Sequence, residues 1–120
     1  MRTWDKMIVA VIGAGLIAVG NLRAEEASQT VTVTGEVVDM ACYIDHGAQG
    51  EKHAGCAKMC IESGLPVGIK NKEGKTYLII GEHKPLNKEL APYAAKTITV
   101  KGKLVERDGF RMIANAEIVK

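Results

Sequence analysis

Valine and threonine alternate over residues 30–38 of the chain. A period of two is typical of a strand with one buried face, and the glycine at position 35 predicts a bulge or a tight bend in that strand. Two further strands are predicted near the end of the chain, at residues 96–106 and 110–119, and Asp108-Gly109 between them is typical of a hairpin turn. The pattern therefore predicts long strands at both ends of one domain.

Shorter elements lie between these long strands. Residues 65–69 and 75–80 are mainly apolar, and the polar, glycine-containing segment 71–74 between them is typical of a turn, so two short strands are predicted. Asn87 is a candidate helix cap, and Pro92 limits the length of the short helix that would follow it. Two short strands and one short helix are therefore predicted between the long strands.

A segment at about residues 39–64 is inserted between the first two predicted strands. Its first part, residues 39–50, has no periodicity and predicts a loop, whereas residues 51–63 predict a helix that ends at Gly64. The complete order is strand, insert, strand, strand, short helix, strand, strand. This order predicts an all-β domain with a small helical insert, folded as a five-stranded OB-like barrel.

The N-terminus has the features of an export signal. Arg2 and Lys6 precede an apolar run at residues 7–19, which is shorter than the roughly 20 residues that span a bilayer. We predict a signal peptide at residues 1–24, with cleavage after Gly20 or an uncleaved anchor as alternatives. The single domain then comprises residues 25–120 and is periplasmic or secreted, with no stable membrane span expected after cleavage.

The net charge of +2 for the whole chain belongs to this N-terminal segment. Arg2, Lys6 and Arg23 against Asp5 account for all of it, so the exported part is close to neutral. A neutral domain lacks the basic surface that binds polyanions, and nucleic acid is therefore not expected as a partner.

The candidate chemistry lies in the insert, because all three cysteines fall within the 19 residues from Cys42 to Cys60. On a helix, His53, Cys56 and Cys60 have the spacing i, i+3, i+7 and share one face. Cys42, just after the first strand, could close over that face. Three thiolates and one imidazole make a complete tetrahedral set for zinc, and His46 is a possible additional ligand.

Other interpretations of the same residues stay open. Met40 or Met59 could add a thioether if the ion were Cu⁺. Export favours disulfides, so Cys42 could instead pair with Cys56 or Cys60 and pin the insert to the barrel, which would leave one thiol free. A carboxylate at Asp39 is a candidate to support a ligand. There is no Cys-x-x-Cys redox motif, catalytic triad or phosphate-binding loop, so an enzyme is not the leading prediction.

Three motifs resemble those of a group of small exported bacterial proteins with an OB-like barrel. They are Gly35-Glu-Val-Val-Asp-Met-Ala-Cys-Tyr43, His53-Ala-Gly-Cys-Ala-Lys-Met-Cys60 and Ser63-Gly-Leu-Pro-Val-Gly68. The resemblance covers most of the exported part. It implies that Cys42, His53, Cys56 and Cys60 belong together, whereas His46 need not join them, and it supplies no activity.

The sequence thus predicts an exported metal-binding protein with a Cys₃His site, used for structural zinc or for handling zinc or copper. Its partners would be the metal ion and a periplasmic protein. The alternative is a disulfide-stapled OB-like module that binds a small ligand or a partner protein without a metal.

Overall fold

The computed structural model describes residues 29–120, so the predicted signal peptide lies outside the described residues. The five strands are β1 Gln29–Asp39, β2 Val67–Lys70, β3 Thr76–Ile79, β4 Thr97–Arg107 and β5 Phe110–Val119. The three short α-helices are α1 Met40–His46, α2 Ala54–Glu62 and α3 Asn87–Leu90, and 3-10 turns lie at Glu51–His53 and Ala91–Tyr93. Within this part of the chain, no helix has the length and apolar character needed to cross a membrane.

The strands close into a barrel in the order β1-β2-β3-β5-β4. The pairing of β3 with β5 is parallel, and the other neighbouring strands are antiparallel. This is the strand order of an OB-like barrel, and the predicted fold class, an all-β barrel with a small helical insert, is confirmed. A closed barrel leaves no long strand edge exposed.

β1 pairs with two different strands. Its residues 29–36 pair with β4, and its residues 36–39 pair with β2. A Cβ atom at Gly35 would overlap the carbonyl oxygen of Lys70, so only glycine allows β2 to approach so closely. Gly102 has the same role in β4, where a Cβ would lie 2.6 Å from the carbonyl oxygen of Ala114. Gly35 is therefore a point of close approach between two strands, and the bulge or bend predicted there stays a prediction.

The barrel core is apolar and receives side chains from all five strands. Its buried strand residues are Val37, Val67, Ile69, Ile79, Val100, Ile113 and Ala116. Ile61 of α2 and Leu90 of α3 are also fully buried in this core. Burial of an aliphatic side chain of this size contributes roughly 1.5–3 kcal/mol, so Ile61 holds α2 firmly against the barrel.

Two local predictions were wrong. Residues 39–50 contain the helix α1, because the Asp39 carboxylate accepts a hydrogen bond from the Ala41 N–H (2.9 Å) and Gly47, with φ +72°, ends the helix. Asn87 lies inside α3 and does not cap it. Its side-chain amide instead donates to the carbonyl oxygens of Ile61 (2.9 Å) and Leu65 (2.7 Å), which joins the end of α2 to α3.

The helix predicted at residues 51–63 is present, although it begins as a 3-10 turn and becomes α-helical only at Ala54. Gly64 follows its end with φ +99°, as predicted. Asp108 and Gly109 have φ values of +51° and +85°, the backbone conformation of the tight hairpin that their sequence predicted.

Candidate metal centre

Three sulfur atoms converge at one end of the barrel. The Sγ atoms of Cys42, Cys56 and Cys60 lie within 4.8 Å of one another, and all three are free thiols. Sulfurs bound at about 2.3 Å around a tetrahedral zinc ion would be roughly 3.8 Å apart. The cluster is therefore at most about 1 Å wider than a loaded site, a difference that small side-chain rotations can close.

The two helices of the insert supply these thiols. Cys42 lies in the first turn of α1, directly after β1, while Cys56 and Cys60 lie four residues apart on α2. Residues four apart on a helix lie on one face, which explains why the two α2 sulfurs point to a common centre. The convergence predicted for Cys42, Cys56 and Cys60 is confirmed in its geometry.

The Gly-Leu-Pro-Val-Gly segment at residues 64–68 positions both helices. Gly64 ends α2, and the carbonyl oxygen of Pro66 accepts a hydrogen bond from the N–H of Met40 (2.9 Å), the first residue of α1. Gly68 lies under the Met40 side chain, where a Cβ atom would overlap the Met40 Sδ atom. The motif noted in the sequence therefore holds Cys42 against the cysteines of α2.

Side chains of β1 and β2 also fix the connection between the helices. Glu36 of β1 accepts a hydrogen bond from the Gly50 N–H (2.9 Å). Lys70 of β2 donates to the side chain of Gln49, and its ammonium lies 5.3 Å from the centre of the Tyr43 ring, in cation–π contact. The insert is thus attached to the barrel at its ends and in its middle.

His53 lies outside the group of sulfurs. It belongs to the 3-10 turn that precedes α2, with φ −103°, so the helical face shared by Cys56 and Cys60 does not extend back to it. The side chain is exposed, yet it lines a narrow cavity whose walls also include Asp39, Cys42 and Cys56. His53 is therefore a neighbour of the cluster.

The other predicted ligands are His46, Met40 and Met59. His46, in the last turn of α1, is exposed and has its Nδ1 atom 3.3 Å from the Asp45 carboxylate, outside the group of sulfurs. The Met40 sulfur is buried over Gly68, and Met59 is 70% exposed on α2.

Asp39 has a larger place in the site than its sequence position indicated. It is the last residue of β1 and is only 2% exposed, and one of its oxygens, Oδ1, caps α1. The other oxygen, Oδ2, is buried and has no hydrogen-bond partner of good geometry within residues 29–120. The sequence indicated Asp39 only as a candidate to support a ligand, and its burial and its cap on α1 were not predicted.

This carboxylate controls the ionisation of two thiols. As an acceptor toward which an S–H proton can turn, Asp39 favours the neutral thiol, and together with desolvation it raises the pKa of Cys42 to about 12. The same causes raise the pKa of Cys60. Metals bind thiolates, so an ion must displace these protons, and its affinity will increase with pH.

Comparison of the chain with protein families, with curated proteins and with solved structures gives no match. The fold and the site therefore define the class: a five-stranded barrel whose helical insert carries a three-thiol cluster close enough to bind a metal ion. Three convergent thiols suit zinc and Cu⁺, the thiophilic ions that proteins most often hold with cysteine.

Proposed function

We propose that this protein is an exported metal-binding protein that holds a single zinc or copper ion through Cys42, Cys56 and Cys60. The observation that carries the proposal is the convergence of these sulfurs, within 4.8 Å, from two separate helices. A random placement of cysteines would not bring Cys42 onto the face of α2 that carries the other two.

Ion handling fits the site better than a purely structural role. Within the described residues, the barrel core consists of apolar side chains and includes none of the cysteines. Cys56 is exposed, while Cys42 and Cys60 are half-buried. An ion held here would be open to ligand exchange on the Cys56 side, so another thiol could displace it. The partner for such an exchange would be a metal-carrying protein outside the cytoplasm.

His53 is the fourth ligand that the sequence predicts, and its place beside the cluster keeps it a candidate. A His53→Ala variant tests it directly: a supporting result is weaker metal binding with unchanged folding. Export remains part of the proposal and rests on the basic and apolar N-terminal segment. Its test is the fractionation of cells that produce the full chain, where the protein should appear outside the cytoplasm.

Elemental analysis and thiol counting test the metal proposal. Protein purified without reductant should contain one zinc or copper ion per chain and react with a thiol reagent at three sites once a chelator has removed the ion. A Cys60→Ser variant should lose the ion, whereas Ser63→Ala, a matched change on the neighbouring turn, should keep it. A protein with no metal and one reactive thiol would refute the proposal.

A disulfide-stapled binding module is the second candidate. Thiols this close need little movement to form a disulfide, whose S–S length is about 2.05 Å. The barrel also has an open groove of about 730 Å³ along β1 and β2, lined by residues such as Thr34, Lys70 and Tyr77. That volume suits a small ligand. Intact-mass measurement that finds two hydrogens missing would favour this candidate.

A further inference from the structure

Asp39 is the described residue whose environment is least explained by the fold alone. A buried carboxylate oxygen without a partner is rare in folded proteins and calls for an explanation, such as a bound ion. Here Oδ2 lacks a well-formed hydrogen bond, although the rest of the residue is tightly held. The inference that follows rests on the proposed function, because it concerns the ion that the three cysteines would hold.

The carboxylate is fixed in position from two directions. Its backbone pairs with Val67 at the end of the β1–β2 ladder, and its Oδ1 atom accepts the Ala41 N–H at 2.9 Å. These contacts leave Oδ2 as the carboxylate oxygen that has no well-formed hydrogen bond within residues 29–120. A ligand that is held before the ion arrives loses little conformational entropy when the ion binds.

The unused oxygen belongs to the thiol cluster by position. Asp39 lines the same narrow cavity as Cys42 and Cys56, and hydrogen bonding to its carboxylate is the largest cause of the raised pKa of both Cys42 and Cys60. The carboxylate is therefore adjacent to sulfurs from both helices of the insert. His53 lines the same cavity and is the alternative fourth ligand. Neither its imidazole nor the Asp39 carboxylate belongs to the group of atoms that lie within 4.8 Å of one another. The Asp39 carboxylate is buried and held in place, whereas the imidazole is exposed.

We propose that Asp39 supplies an oxygen ligand, through Oδ2, to an ion held by Cys42, Cys56 and Cys60. The donor set is then three sulfurs and one oxygen. Carboxylate oxygen is an ordinary ligand for Zn²⁺ and a poor one for Cu⁺, which prefers sulfur and nitrogen. Three thiolates and a carboxylate also place four negative charges around the ion, and a divalent ion compensates them better. The site is therefore built for Zn²⁺ in preference to Cu⁺.

Two substitutions remove the carboxylate and keep the helix cap. Asp39→Asn and Asp39→Ser both retain a side-chain oxygen that can accept the Ala41 N–H, as capping residues do. The matched control is Asp45→Asn, which removes an exposed carboxylate from the same helix. Circular dichroism and thermal unfolding of the metal-free proteins show whether each variant keeps its fold.

Competition with chromophoric chelators measures binding of Zn²⁺ and of Cu⁺ separately. We expect both Asp39 variants to bind Zn²⁺ about 10–100-fold more weakly, in the range seen when groups around a zinc site are lost, and to bind Cu⁺ within twofold of the native protein. With Co²⁺ as the probe, the d–d bands should shift in the Asp39 variants while the sulfur-to-cobalt charge-transfer bands remain. The Asp45→Asn protein should match the native protein in every measurement.

X-ray absorption on the zinc-loaded native protein supplies a test that needs no variant. The expected spectrum has three sulfurs at about 2.3 Å and one oxygen at about 2.0 Å. Scattering from an imidazole ring, or unchanged Zn²⁺ affinity and Co²⁺ bands in a folded Asp39→Asn protein, would overturn the inference while leaving the metal proposal intact. A native protein that binds Cu⁺ but not Zn²⁺ would also overturn the inference alone, whereas one that binds none of Zn²⁺, Co²⁺ and Cu⁺ would overturn both.

Discussion

Substitution of Gly68 by alanine should both destabilise the protein and weaken metal binding at the proposed site. A Cβ atom at this position would overlap Met40 Sδ and lie 2.9 Å from both Met40 Cγ and the carbonyl oxygen of Tyr77. Met40 is only 7% exposed, so its side chain has little room to move aside. Overpacking of this kind costs roughly 1–3 kcal/mol. For a domain of this size, each kcal/mol changes Tm by about 4–8 °C, so we expect Tm to fall by roughly 4–24 °C.

Gly55→Ala is the control, and it should increase the stability of the protein where Gly68→Ala decreases it. Gly55 lies in α2 with nothing within 4 Å of the added Cβ, and alanine in place of glycine within a helix is favourable by about 0.5–1 kcal/mol. Thermal unfolding of the metal-free proteins, followed by circular dichroism, measures both changes.

The effect of Gly68→Ala on the metal has a separate cause. Met40 begins the helix that carries Cys42, so a displaced Met40 moves one of the three sulfurs away from α2, and zinc affinity should fall. A double variant with Met40→Ala should cost less than the sum of the single changes, because the clash is then relieved. A Gly68→Ala protein that melts with the native protein would refute this account of the motif.

Three further predictions concern ionisation, helix packing and the ion. The pKa of Cys42 is raised to about 12 from an ordinary 9.0, so the thiol ionises at lower pH in the unfolded chain than in the folded protein. The metal-free protein should therefore lose stability as the pH rises above 9. Urea unfolding should show a smaller loss in the Cys42→Ser variant. Asn87→Ala should cost about 1–3 kcal/mol in urea unfolding, because the carbonyl groups of Ile61 and Leu65 lose their shared donor; native stability would contradict this. Free zinc at 100 times its Kd should stabilise the native protein by about 2.7 kcal/mol, and an equal shift in Cys60→Ser would count against the site.

The barrel could be predicted because its signals are local and repeated. The alternation of valine and threonine in β1 and the Asp108-Gly109 turn each reflect a preference of a few neighbouring residues. The placement of Cys56 and Cys60 on one face of α2 could also be predicted, because helical spacing alone brings them there. These features depend little on the rest of the molecule.

The parts that could not be predicted depend on contacts across the fold. α1 is too short to show a period, and it is held by the Asp39 cap and by Met40 packed over Gly68. His53 was predicted to lie within the helix, but α2 begins only after it, because helix ends are defined poorly by sequence. The burial of Asp39 follows from the closure of β1 on β2, which no local pattern encodes.

The insert leaves and rejoins the barrel between two strands that are themselves hydrogen-bonded, β1 and β2. The two ends of the insert are therefore held together by backbone hydrogen bonds whether or not an ion is bound. In many small zinc domains, by contrast, removal of the metal unfolds the domain. We expect this domain to stay folded without the metal, so one molecule could bind, release and rebind an ion many times without unfolding.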